Sequence, residues 1–303
     1  RSHQDATEYV DVSMGSVDLS GATGRALSLT STHAPSALCR EICIDHGSVR
    51  ECDFSSADFS GATISNLYLS LSDCSGSGFG QARLKKCEFS ECTLTATDFR
   101  DADLGEATIM KTDLKPVRLG NTNFRLAFLV ESDLSGHDLR TCSFEIAQLI
   151  RCNLSGCDFR GANITQTNFS EADLTGCRFD GASAEIALFS KARLAGAVFT
   201  KVNLKQAFFG SCTLTGCDLS GANLTMANLQ EADCREVSFR GCTMQFADLS
   251  NADISGADFS KANLTMAKLH CVKDEKTVWE GANRKVIQGT DKELAKAQQW
   301  SKP

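Results

Sequence analysis

The chain has 303 residues with 38 acidic and 31 basic side chains, which gives a formal net charge of -7. Because these charges are mixed along the chain, the concentrated basic field of a nucleic-acid-binding protein is missing, and we expect no nucleic-acid partner. No apolar run approaches the ~20 residues that a membrane-spanning helix needs, so we expect no membrane partner either.

The first 49 residues predict an irregular N-terminal cap. Residues 1–10 are polar and lack the apolar core of a signal sequence. Apolar pairs two residues apart recur further on, as in Ile42 and Ile44, but Gly24, Ala34 and Pro35 interrupt the pattern. We therefore assign residues 1–49 to a cap that contains degenerate repeats.

Residues 50–270 repeat with a period of five. Every fifth position from Phe54 to Leu269 gives 44 positions, of which 41 hold Leu, Ile, Phe or Met. The position two residues earlier, from Cys52 to Ala267, holds a small residue in 42 of 44 cases. Neither the 3.6-residue period of a helix nor the two-residue period of a strand fits this spacing. The pattern predicts that both residues point inward and that the other three face outward or turn a corner.

Triplets such as Ala102–Asp103–Leu104, Ala162–Asn163–Ile164 and Ala222–Asn223–Leu224 carry the motif A(D/N)Lxx. The chain thereby resembles the pentapeptide-repeat family. The resemblance implies an all-β fold, a right-handed quadrilateral parallel β-helix (a β-solenoid) with four pentapeptides per coil and a stacking period of 20 residues. One column at steps of 20, from Phe59 to Phe259, holds Phe at eight of its eleven positions, as stacked side chains would.

Residues 271–303 predict a C-terminal cap with a short α-helical segment. The pentapeptide pattern stops after Leu269, and the chain's two tryptophans, Trp279 and Trp300, follow. The stretch from Thr290 to Glu293 has the spacing of a capping box and precedes a short amphipathic run. The helix either plugs the last coil or contacts a second copy or another partner.

The residues that commonly carry catalysis are scarce. The sequence has five histidines and lacks the motifs of hydrolases, metalloproteases and nucleotide-binding enzymes. We therefore expect no enzymatic activity and no cofactor. His137, Cys157 and Cys177 share one column, but ligands spaced along a line do not surround a tetrahedral zinc ion, so we expect no metal site.

Cysteine is frequent, and its position in the repeat indicates a packing role. Ten of the fifteen cysteines take the small inward position, where cysteine replaces alanine as a small hydrophobic residue. Many unpaired thiols favour a reducing compartment, which we take to be the cytoplasm or, for a secreted protein, the interior of a host cell.

Large apolar residues also face outward, and they collect at one corner and one side of the predicted coil. Such a patch on a water-exposed solenoid predicts a partner-binding surface, for a protein partner or a second copy. Alternatively, a terminal segment folds back over it. The predicted partner-binding residues are Leu126, Phe128, Val130, Ile146, Ile150, Ile186, Leu188, Phe208, Met226 and Phe246.

Two functions follow from these features. The first is a non-enzymatic protein-interaction scaffold that uses the apolar side, including the case of a bacterial secreted effector or a fragment of one. The second is implied by the resemblance, because some family members mimic DNA with an acidic surface and protect DNA gyrase. A net charge of -7 is weak for mimicry of a duplex that carries one charge per ~1.7 Å.

Overall fold

A computed structural model describes the backbone of residues 7–300 and the side chains of residues 11–298. The predictions for residues 1–6 and for the last three residues lie outside this range. The chain divides into two compact units, Arg1–Asn153 and Leu154–Pro303. We call them unit 1 and unit 2 and describe each by itself.

Unit 1 is a parallel β-solenoid whose strands pair at steps of 20 residues. Its register runs from Leu27 to Gly47 and on to Leu67, and then from Leu69 to Phe89 and Ile109. The strands are β1 (Thr7–Val10), β2 (Thr23–Thr30), β3 (Cys43–Arg50), β4 (Thr63–Ser65), β5 (Leu67–Ser70), β6 (Arg83–Lys85), β7 (Glu88–Ser90), β8 (Thr108–Met110) and β9 (Phe128–Val130). This coiling already includes residues 7–49, which the sequence assigned to an irregular cap.

Unit 2 repeats the same coil with one short bridge on each of its four faces. The four faces of one coil are seen in the pairs Asp173–Arg193, Arg178–Val198, Ser183–Asn203 and Leu188–Phe208. Backbone hydrogen bonds alternate in direction: Phe179 N–H donates forward to Val198 O at 2.7 Å, while Val198 N–H donates back to Cys177 O at 2.9 Å. The predicted β-solenoid and its 20-residue stacking period are confirmed.

From Phe159 to Phe209, the core of unit 2 is a double column of phenylalanine rings. Phe179 stacks on Phe159 with ring centroids 5.0 Å apart and on Phe199 at 4.4 Å. Rings from the neighbouring face, Phe169 and Phe189, meet this column edge-on at 5.8 to 6.4 Å. Stacked and edge-to-face pairs are the favourable aromatic geometries, so the predicted inward column is also a well-packed one.

The corners of the coil require a left-handed backbone conformation. In unit 2, Gly176 and Gly216 both have φ 69°, and many non-glycine residues take a similar conformation at other corners. Glycine adopts this conformation without the Cβ clash that other residues suffer, which explains its recurrence at these positions.

A final coil and one helix complete unit 2. The bridges Asp258–Val278 and Lys268–Gln288 extend the coil beyond the predicted end of the repeat. Helix α1 spans Lys292–Trp300. Its cap differs from the predicted capping box, because the N–H groups of Glu293 and Leu294 donate to Asp291 Oδ1 at 3.0 and 3.1 Å. Among the described residues, no helix is long and apolar enough to cross a membrane.

The helix is joined to the coil beneath it through a buried histidine. His270 Nδ1 accepts the Asp291 N–H at 3.1 Å, and His270 Nε2 lies 3.3 Å from Gln298 Oε1. The inward residues Val272, Trp279, Ala282 and Ile287 of the last coil nevertheless remain partly exposed. In the part of the chain that the structure describes, the helix therefore does not fully plug this end of unit 2.

Candidate interaction surfaces

One corner of unit 2 carries large apolar side chains at successive levels. We define the apolar corner as Ile186, Met226, Phe246, Met266 and Val286, which occupy the same place in the 20-residue coil. The first four are held by the backbone ladder; Met226 N–H donates to Gln245 O at 2.9 Å and Phe246 N–H to Thr265 O at 3.1 Å. The polar Gln206 occupies the one intervening level. The regular hydrogen bonding fixes these side chains at an outward turn.

The apolar corner is unfavourable on two separate grounds. Its residues have positive φ, for example 60° at Ile186 and 55° at Val286, where L-amino acids lose about 1–2 kcal/mol and β-branched ones are rare. They are also exposed, at 50% for Met226, 47% for Phe246 and 73% for Val286. Neither the local conformation nor packing within the described chain accounts for these residue types.

The side next to this corner carries two further predicted residues. Leu188 is exposed and pairs through its backbone with Phe208 on the following coil. Phe208 is only half-exposed, because its ring lies over Gly210, where an added Cβ would come within 2.6 Å of the ring. The ring of Phe208 therefore lies along the wall of the solenoid instead of projecting from it.

Unit 1 carries the other five predicted residues. Phe128 is 49% exposed, whereas Leu126, Val130, Ile146 and Ile150 are half-buried. Leu126 and Ile146 both have φ 61° and so repeat the conformation of the apolar corner. Of the five predicted residues in unit 1, only Phe128 is mainly exposed, and the four aliphatic side chains are partly covered.

Two members of the apolar corner were missed by the sequence reasoning. Met266 and Val286 are exposed and continue the steps of 20 residues that place Met226 and Phe246. The same arithmetic, carried past the last regular pentapeptide, would have identified both. Whether the ten predicted residues bind a partner remains a prediction.

The acidic columns on other faces are largely engaged within the chain. Asp218 Oδ1 accepts the Ser220 N–H at 2.9 Å, a side-chain turn that recurs from coil to coil. Many of these carboxylates also pair with arginine, as Asp233 does with Arg235 at 2.6 Å. Hydrogen bonding from Arg235 lowers the pKa of Asp233, so this carboxylate remains charged and paired.

The inward thiols are buried and weakly acidic. Thirteen of the fifteen cysteines are buried, and burial raises the pKa of Cys152, Cys217 and Cys242 to about 12. The Cys217 thiol donates to Leu194 O at 2.8 Å. Protonated thiols are poor nucleophiles and poor metal ligands. Within residues 11–298, no group of three or more His, Cys, Asp or Glu side chains is placed to hold a metal ion.

Comparison with known proteins identifies one family model. The model described as "Pentapeptide repeats" matches in 8 copies over residues 72–109, 147–181, 177–216, 217–256 and 238–272, together just over half of the chain. Among curated proteins nothing matches.

Several solved structures are similar. HetL, a pentapeptide repeat protein involved in heterocyst differentiation regulation from the cyanobacterium Nostoc sp. strain PCC 7120, is 21% identical; the match covers 92% of this chain and 90% of HetL with TM-score 0.23. A trypsin-treated form of QnrB1, a plasmid-mediated fluoroquinolone resistance protein, is 21% identical over 68% of this chain and 95% of QnrB1, with TM-score 0.30. A pentapeptide repeat protein from the Arabidopsis thaliana thylakoid lumen is 29% identical over 38% of this chain and 67% of that protein, with TM-score 0.20.

Proposed function

Because the chain belongs to the pentapeptide-repeat family, we propose that it is a non-enzymatic scaffold that binds another protein through the apolar corner of unit 2. The observation that carries the proposal is the combination of exposure and positive φ at Met226 and Phe246. Residues that are unfavourable for the fold, and that the fold does not cover, are expected where a partner covers them.

A protein is the partner whose chemistry fits this surface. Methionine and aromatic side chains are enriched at the centres of protein interfaces, where Met adapts its shape to the surface opposite. The rim around the corner is polar, with Asn203, Asn223 and Thr243 on one adjoining face, and its Lys205 is paired with Glu185 at 3.3 Å. A rim of this kind suits hydrogen bonding around an apolar centre and gives no attraction for nucleic acid.

The apolar corner supports this function better than the acidic faces support DNA mimicry. A mimic of a duplex must present unpaired negative charge to its target. Here Asp233 and Asp258 form ion pairs with Arg235 and Arg240, both with an N–O distance under 3 Å. The reducing compartment expected from the buried thiols is part of the same proposal.

The test compares solution mass and captured proteins for the wild type and a double variant, Met226→Asp with Phe246→Asp. Asp tolerates positive φ better than Met or Phe does, so the variant should fold at least as well as the wild type. We expect it to lose the captured partner, or to become a monomer if the partner is a second copy.

The control is Val198→Asp, which places one new carboxylate, against two in the double variant, on an outward position of another face of unit 2. It should keep both the partner and the solution mass of the wild type. If the double variant is folded and keeps every partner and the same mass, the proposal is wrong.

A further inference from the structure

The lumen of unit 1 is hollow at its N-terminal end. A cavity of about 430 Å³ lies there, and its lining residues run from Val12 in the first coil to Phe89 in the fourth. The four coils that contribute to the lining span roughly 14 Å, which is an upper limit for the length of the cavity along the axis. Pockets of about 300–1,000 Å³ are typical of small-molecule sites, and this cavity lies within that range.

The cavity arises from three residues of the degenerate N-terminal repeats. Gly24, Ala34 and Cys39 stand at the large inward position, which Leu or Phe fills elsewhere. One coil further on, the corresponding residues are Ile44, Phe54 and Phe59. A Cβ built on Gly24 would meet no atom within 4 Å. The missing side-chain volume therefore leaves a hole that the backbone does not close.

The lining offers apolar contact and no charge. It consists of aliphatic and aromatic side chains, glycine, three thiols and two threonines, and none of these carries an ionised group. Two of the polar groups have partners of their own: Thr32 Oγ1 donates to Thr30 O at 3.3 Å, and the Cys87 thiol lies 3.4 Å from Ile64 O. A ligand in this cavity would gain dispersion and hydrophobic contact but no ion pair.

Within residues 11–298, the cavity is least covered at the first coil. Its inward residues Val12, Met14 and Val17 are half-buried and Leu19 is 38% exposed, whereas Phe79 and Phe89 at the far end are almost fully buried. A molecule could therefore enter along the axis of the solenoid, with its leading end against the phenylalanine rings.

We propose that this lumen binds an uncharged small molecule with an apolar hydrocarbon chain. An empty apolar cavity loses the packing contacts of its lining in proportion to its volume, and apolar ligands enter such cavities readily. A lining that spans several coils suits a chain and excludes a charged one, and the partly exposed inward residues of the first coil leave room for a small polar end. This site is separate from the apolar corner and does not depend on it.

Binding can be measured with the full chain and N-phenyl-1-naphthylamine, an uncharged probe whose fluorescence rises in apolar surroundings. We expect saturation at one probe per chain and displacement by 1-dodecanol. The double variant Gly24→Leu with Ala34→Leu should weaken probe binding by about tenfold or more, because the new side chains occupy the cavity. Gly24→Leu alone, for which the cavity has space, gives a milder test if the double variant does not fold.

The control is Gly289→Leu, 20 residues after the inward Leu269 in unit 2, where the glycine is exposed and an added Cβ also meets nothing within 4 Å. It should bind the probe as the wild type does, and so should the Met226→Asp and Phe246→Asp variant of the apolar corner. The proposal is overturned if the wild type does not bind the probe, or if folded Gly24→Leu variants bind it unchanged. Loss of the probe only in the apolar-corner variant would also overturn it, because the probe would then bind there.

Discussion

The first coils of unit 1 and the middle coils of unit 2 share a backbone ladder but differ in what fills it. His33 N–H donates to Val12 O at 2.9 Å, and Val198 N–H donates to Cys177 O at the same distance. Around the first bond the lumen is hollow, whereas around the second it is packed with stacked rings such as Phe199. Backbone pairing therefore determines the path of the coil, while the packing of the inward side chains determines the stability of each coil.

The largest effect should come from emptying the filled region. Phe199→Ala removes a fully buried ring from the column and should destabilise unit 2 by about 3–5 kcal/mol. Leu19→Ala removes a side chain that is 38% exposed at the mouth of the cavity and should cost less than about 1 kcal/mol.

Amide hydrogen exchange during urea unfolding would measure both changes coil by coil, since repeat proteins open in parts. In the wild type, amides of the first coils should exchange sooner than those around Phe199. Equal losses of stability in the two variants would contradict this difference, because the lumen of unit 1 would then be as tightly packed as that of unit 2.

Substitutions at the corners should change stability by an intermediate amount. They would show whether the core alone stabilises unit 2. Ile186→Gly removes a β-branched residue from φ 60° and should raise the stability of unit 2 by about 1 kcal/mol. The reverse change, Gly176→Ile at φ 69°, should lower stability by a similar amount or more. Chemical denaturation of both variants checks the pair, and a loss of stability in Ile186→Gly would mean that its side chain packs favourably within unit 2.

The smallest effect should be acid sensitivity, which we expect in both units. A side-chain hydrogen bond from Arg100 lowers the pKa of Asp98 in unit 1, and one from Arg235 lowers that of Asp233 in unit 2. A carboxyl with a lowered pKa stabilises the fold above its ordinary pKa, and this contribution is lost as the pH falls through the folded value.

Melting temperature should therefore decline in both units below about pH 4. Arg100→Gln and Arg235→Gln should each flatten the decline slightly and to a similar degree. If the melting temperature of one unit declined much more steeply, part of the difference in stability between the units would come from charge and not from packing in the lumen.

The sequence was enough to predict the solenoid, because the five-residue period and its motif carried a family resemblance, and that resemblance implied the coil. The sequence was less informative about the ends of the repeat, where adjacent coils pair through backbone hydrogen bonds without the inward side-chain pattern. The coils around Gly24 and Lys273 keep the 20-residue register without the inward pattern, since N–H and C=O groups pair whatever side chain they carry. The helix is capped by Asp291 and not by Thr290, the next residue back along the chain. Sequence spacing alone does not distinguish between two neighbouring capping residues.

The apolar side was predicted as a list of outward residues, and its geometry required the structure. The period places Phe208 and Phe246 on the outside alike, yet the ring of Phe208 folds over Gly210 while that of Phe246 projects. The hollow lumen was also missed, because Gly24 and Ala34 were taken only as breaks in the pattern, and the side-chain volume that is missing at their inward positions was not considered.

The alternating ladder also limits how a chain of this kind can change in length during evolution. Insertion of five residues keeps every inward position inward, but it moves all later residues of the unit by a quarter of a coil. In unit 2, such an insertion between Ile186 and Met226 would carry Met226 and Phe246 to a different corner, while the phenylalanine column would lose its partners. Only insertions or deletions of whole coils, twenty residues at a time, preserve both the core and the surface. We therefore expect chains of this fold to change in length by multiples of twenty residues.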